Sequence, residues 1–137
     1  MKRIYFCPAC GATLNPNVKI ILAASREGAS GLLLFSPQPG NYEVIAPDEL
    51  PLRPGDRLDF RCPVCGKSLT SRANENLAEL GFRLSNGTEG RVHFARRYGE
   101  HATFYITTEE VRSYGENADA YSNLNFFGAG TVETPQE

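Results

Sequence analysis

The order of apolar and polar positions predicts short strands separated by glycine turns. Glu79 to Ser85 alternates, with Leu80, Phe82 and Leu84 on one face and Glu79, Gly81 and Arg83 on the other, the period of a half-buried strand. Arg91 to Arg97 and Ala102 to Thr107 continue the series, with Asn86-Gly87 as the hairpin signal after the first strand. Earlier in the chain, Val18 to Ala24, Leu32 to Phe35 and Tyr42 to Ala46 form a similar series around a turn at Gly28 to Gly31. Each series reads as a three-stranded antiparallel meander. Ile20, Ile21 and Leu22, then Leu32 to Phe35, are apolar at consecutive positions, so the earlier sheet is expected to be covered on both faces and the later one on a single face. Thr108 to Gly115, with a threonine cap, acids in the first turn and a glycine stop, predicts a short helix.

The two series match each other. Gly28, Gly31, Phe35 and Gly40 recur 59 positions later as Gly87, Gly90, Phe94 and Gly99, and Leu52-Arg53 recurs as Val111-Arg112. A Cys-Pro-x-Cys-Gly motif ahead of each series, and the leucine behind it (Leu14, Leu69), recur after 55 positions, so an insertion of four residues near Thr70 to Asn76 reconciles the offsets. Glycines, phenylalanines and cysteines repeated in one order point to an internal duplication. The expected organisation is a single domain over 1–128, mainly β. It consists of two pseudo-repeats (about 4–57 and 58–116) and a docking segment 121–127, and is followed by a disordered acidic tail, 129–137. Leu124 to Gly128 echoes Leu58 to Cys62, the run into the second motif; the rival reading makes Phe126-Phe127 an exposed partner-binding segment.

The motifs Cys7-Pro8-Ala9-Cys10-Gly11 and Cys62-Pro63-Val64-Cys65-Gly66 use all four cysteines of the chain. Proline starts a tight turn, and glycine takes the positive φ that aims backbone N–H groups at the sulfurs. Four thiolates suit a tetrahedral metal site, Cys7, Cys10, Cys62 and Cys65, with zinc as the first choice and iron as the alternative. The motifs resemble the knuckles of zinc-ribbon and rubredoxin-like proteins, over roughly ten residues around each pair. That resemblance implies a structural metal or, with iron, electron transfer. Here 51 residues separate Cys10 from Cys62, against about 15–20 in the usual ribbon. A duplicated half-site accounts for the wide gap.

Charge divides the chain unevenly. Residues 1–98 hold 13 bases and 9 acids; the remainder holds one base and seven acids. This falls short of a dedicated nucleic-acid-binding domain. Alternation nevertheless groups Arg83, Arg91, His93, Arg97 and Tyr105 as a basic, aromatic outer face of the second unit, a candidate nucleic-acid surface. The matching positions of the first unit include Leu32 and Leu34, an apolar face that asks for a cover from the other unit, the tail or a second protein chain. His93 and His101 have no free thiol to activate, so no enzymatic activity and no small-molecule substrate are inferred. The metal motif begins at position 7, and no apolar run approaches a membrane span, which with reduced thiols favours the cytoplasm. The expected activity is therefore binding: a structural-zinc module for protein interaction or self-association, with nucleic-acid binding and iron electron transfer as alternatives.

Overall fold

The computed structural model describes residues 3–108 and 110–121. Among the described residues, nine strands build two antiparallel sheets: β1 Arg3–Phe6, β2 Ile20–Arg26, β3 Ala29–Phe35, β4 Val44–Ile45, β5 Asp59–Arg61, β6 Leu77–Leu84, β7 Glu89–Ala95, β8 Thr103–Ile106 and β9 Val111–Tyr114. There is no α-helix among the described residues; Ala118–Tyr121 forms a 3-10 helix. The five-stranded sheet runs β1-β6-β7-β8-β9 and the four-stranded sheet β4-β3-β2-β5.

The meanders predicted from alternation are present as β2-β3-β4 and β6-β7-β8, but each sheet borrows a strand from the other half of the chain. β1, which leads into the first cysteine motif, pairs with β6 through Tyr5↔Phe82. β5, which leads into the second motif, pairs with β2 through Phe60↔Ala24. Sequence-local contacts alone would have left β1 with β2, so this exchange is invisible to periodicity. Its consequence is that both cysteine pairs leave their strands beside the opposite meander.

Hydrogen bonds locate the offsets between the halves. Leu14 N–H donates to Tyr5 O and Ile21 N–H to Leu14 O; Leu69 N–H donates to Phe60 O and Glu79 N–H to Leu69 O. Tyr5 and Leu14 thus correspond to Phe60 and Leu69 at 55, whereas Ile21 corresponds to Glu79 at 58. Three extra residues therefore lie between Leu69 and Glu79. The fourth lies in the next hairpin: Arg26 pairs with Ala29 around a two-residue turn, while Leu84 N–H donates to Thr88 O around a three-residue one. The four-residue insertion expected near Thr70 to Asn76 is thus split between two places, because a hairpin tolerates one extra turn residue without losing register.

The inner faces of both sheets share one core. Leu22, Leu33 and Phe60 from one side meet Leu80, Phe82 and Val92 from the other. Phe94 bridges the sheets, with ring centroids 6.0 Å from Phe35 and 5.5 Å from Phe60. Arg96 is buried at the seam, donating to Leu58 O at 2.8 Å and pairing with Asp59.

The outer faces reverse the expected coverage. The four-stranded sheet, whose continuous apolar runs predicted burial on both faces, leaves Leu32 and Ile45 each 54% exposed. The outer face of the five-stranded sheet is the covered one. Leu77, Ala102, Phe104, Ile106 and Ala118 form a second apolar cluster there, joined by Tyr121. The residues inserted after the second motif and the 3-10 helix supply that cover, which no strand pattern encodes. Tyr121, the first residue of the expected docking segment, packs edge-on against Phe104 at 5.8 Å; the rest of 121–127 and the tail 129–137 lie outside the described residues.

The helix expected over Thr108 to Gly115 is replaced by β9, which pairs with β8 from Thr103↔Tyr114 to Ile106↔Val111. Glu110 N–H donates to Thr107 Oγ1, closing the turn that returns the chain to the open edge of β8. Two helical turns repay little of their nucleation cost, and a free sheet edge offers hydrogen bonds at once.

Close strand packing makes Gly90 obligatory: a Cβ there would overlap the Ile106 carbonyl oxygen and press on the Phe82 ring. Gly90→Ala is expected to cost about 1–3 kcal/mol, measured as a lowered urea midpoint at constant slope. An unchanged midpoint would show that the strands separate freely.

Candidate metal centre

Each Cys-x-x-Cys motif folds as the proline and glycine require. Gly11 and Gly66 have φ of 79° and 78°, and their N–H groups donate back to Cys7 O and Cys62 O at 2.8 and 2.9 Å. The turn aims amides at the first sulfur of each pair. Ala9 and Cys10 N–H donate to Cys7 Sγ at 3.3 and 3.4 Å, and Val64 and Cys65 N–H donate to Cys62 Sγ at the same two distances. These donors offset thiolate charge before any ion contributes.

The strand exchange brings the two turns together. Cys7 Sγ lies 3.8 Å from Cys65 Sγ and Cys10 Sγ 3.7 Å from Cys62 Sγ, and all four sulfurs fall within 4.8 Å of one another. Tetrahedral coordination at a metal–sulfur distance of about 2.3 Å sets sulfurs about 3.8 Å apart. All four cysteines are free thiols; Cys7 and Cys62 are buried and Cys10 and Cys65 exposed. The donor set and its spacing fit a thiolate-bound metal such as zinc or iron.

The thiols are electrostatically unequal. Burial raises the Cys62 pKa, but the Cys65 and Val64 amides and the Cys10 and Cys7 sulfurs outweigh it and bring the thiol down to about 7. At Cys10 the Ala12 backbone favours the thiolate, yet desolvation and the sulfurs of Cys62, Cys65 and Cys7 push it up to about 11. Metal loading must displace those protons.

The basic residues grouped by alternation do not form one surface. Arg83, Arg91 and His93 do share the outer face of the five-stranded sheet. Tyr105 pairs with Val92 on the inner face and Arg97 lies beyond β7, donating to Gly55 O at 3.1 Å. Arg83 pairs with Glu89 at 2.7 Å, and Arg91 with Glu79 at 3.4 Å. Both guanidiniums lean on the Phe6 ring, 5.3 and 6.0 Å from its centre. Phe6 can lie there because its neighbour on β6 is Gly81, where a Cβ would overlap the ring.

His93 is buried opposite Glu79 in the strand register, with Nδ1 2.8 Å from Ser71 Oγ. Burial lowers its pKa to about 4; Glu79 opposes the shift, while Arg72 and Arg91 add to it. Sequence reasoning missed Ser71 and Glu79, since a carboxylate on the polar phase of an amphipathic strand ordinarily meets water. Leu32 and Leu34 fall on the outer face of the four-stranded sheet, where Leu34 pairs with Ile21 and Ile45 and Leu32 with Ala23.

Comparison with known protein families, curated proteins and solved structures yields no match.

Proposed function

We propose that this chain is a duplicated β-protein whose halves, about residues 4–57 and 58–116, are clamped by one structural zinc ion, and that it acts as a self-associating binding module. The observation that carries the binding role is the open apolar face of the four-stranded sheet. Ile45, Leu34 and Ile21 form one row across it, and Leu32 and Ala23 the next, with Leu32 and Ile45 more than half exposed. Isolated exposed leucines need no explanation, but contiguous rows on a flat sheet do. Arg61 continues the second row, and Asp59 follows it on the same face of β5. A second copy related by a twofold axis would set the two leucine rows against each other, so the face is self-complementary.

The corresponding registers of the halves and their joint sulfur cluster support the duplication. Four thiolates form a closed set that leaves no open coordination position, which favours a structural ion over a catalytic one. A colourless, zinc-stoichiometric protein separates this reading from an iron electron carrier, which would be red. The Ser71, His93 and Glu79 cluster supports a structural role, not a catalytic one, since all three side chains are buried and none lines the cavity between the sheets. Nucleic-acid binding has less support, because Arg83 and Arg91 already have carboxylate partners. Reduced thiols at a metal fit the cytoplasm.

Light scattering across a concentration series tests self-association. The native chain is expected to reach dimer mass, and Leu32→Lys combined with Leu34→Lys to stay monomeric with its metal content unchanged. A native chain that remains a monomer at high concentration contradicts the proposal.

A further inference from the structure

The core between the sheets is not fully occupied by side chains. A cavity of about 470 Å³ lies among Leu22, Leu33, Phe35, Phe60, Leu80 and Phe94. Protein interiors normally pack to crystal density, with few voids larger than a water molecule. A void this large forfeits dispersion contacts along its whole lining unless something fills it. Its rim comes from two loops at matching positions of the halves, around Gln38 to Gly40 and Arg97 to Gly99, so the repeated architecture itself leaves this end open.

Polar residues, among them Gln38, Asn41, Arg97 and His101, also line the cavity, and two phenols form a directed pair in its wall. Tyr5 Oη donates to Pro37 O at 2.6 Å and lies 2.7 Å from Tyr105 Oη. Tyr5 has one proton, so the shared bond takes its hydrogen from Tyr105, and the Tyr105 oxygen keeps its acceptor capacity toward the cavity. Burial raises the pKa of both phenols, so they stay neutral. At the rim Tyr42 stacks on His101, with ring centroids 4.3 Å apart and planes 9° from parallel. Tyr42 Oη donates to Tyr114 O at 3.0 Å and shares its remaining bond with Thr103 Oγ1.

We propose that this cavity binds a neutral, planar, mostly apolar small molecule of two or three rings that donates a hydrogen bond to the Tyr105 oxygen. Size sets the ring count: an apolar cavity of about 150 Å³ takes benzene, and this one is about three times larger, within the usual range for ligand pockets. Aromatic walls favour a flat occupant. The acceptor in the wall favours a ring that carries a hydroxyl or amine over one without a donor. The site is separate from the outer sheet face and from the sulfur cluster, so it stands or falls independently of both.

Titrating the full-length, metal-loaded protein with 2-naphthol, naphthalene and decanoate, followed by ligand-observed NMR, tests the assignment. Saturable one-to-one binding of 2-naphthol is expected, about fivefold tighter than naphthalene, which is the effect of one hydrogen bond. Tyr105→Phe should erase that preference while leaving naphthalene binding unchanged. Val92→Phe, which fills the cavity, should abolish binding of both ring compounds. Absence of saturable naphthol binding, preference for decanoate, or a preference that survives Tyr105→Phe each overturns the proposal; the last needs no cavity-filling variant to fold.

Discussion

Cys62→Ser is expected to release the metal and to abolish the cooperative unfolding transition. Cys62 is buried and accepts two backbone N–H bonds, so its loss removes a quarter of the ligand set at one of the two amide-supported sulfurs. Structural zinc binding contributes about 10–16 kcal/mol in small peptides, which matches or exceeds the whole stability of a typical domain, about 5–15 kcal/mol. Cys7→Ser, at the corresponding sulfur, should behave alike. The exposed positions Cys10 and Cys65 should also lose the ion, because three thiolates cannot close the tetrahedron. Thermal unfolding of each variant beside the chelator-treated native chain checks this. A sharp transition near the native temperature after chelation would mean that the sheets hold without the clamp.

The second large effect is acid destabilisation through His93. Its pKa is about 4 in the folded chain against an ordinary 6.5, so the unfolded chain takes up the proton first. The neutral ring costs nothing above pH 6.5. As pH falls from there toward 4, stability drops with a slope of one proton, reaching a loss of about 3 kcal/mol. Ser71, Glu79, Arg72 and Arg91 surround the ring; Glu79 lessens the shift and the two arginines deepen it. Between about pH 7 and 5.5 the loss through His93 is about 1 kcal/mol, on top of a thiolate contribution that is common to the native chain and a His93 variant. His93→Gln removes the titration, so its urea midpoint should fall less over that interval than the native midpoint. Equal slopes in the two proteins would place the proton elsewhere.

Strand positions and the gathering of the four cysteines were legible because local rules govern them. Alternation located β6, β7 and β8; the paired Cys-Pro-x-Cys-Gly motifs could do little with four thiols other than gather them. Long-range pairing was not legible. Arg3–Phe6 and Asp59–Arg61 are too short to announce partners, and the exchange that sets β1 beside β6 and β5 beside β2 follows from closing the sulfur cluster. Coverage of the outer faces was misjudged for a related reason. Consecutive apolar residues on β3 signal burial in general, yet Leu32 faces outward, whereas a polar phase holding Glu79 and His93 is buried by the segment inserted at Ser71. Tyr105 was assigned to the basic face from sequence spacing, and the register with Val92 turns it inward to the cavity.

A single metal joining two matched halves within one chain is the claim on which the rest depends. Native mass spectrometry of the purified protein, with parallel elemental analysis, tests it most directly. The account predicts one zinc ion per chain, the same ratio in monomer and dimer, with all four thiols protected from alkylation until a chelator is added. A metal-free chain with Cys7 bonded to Cys10 and Cys62 to Cys65, or an ion held only between two chains, would contradict it.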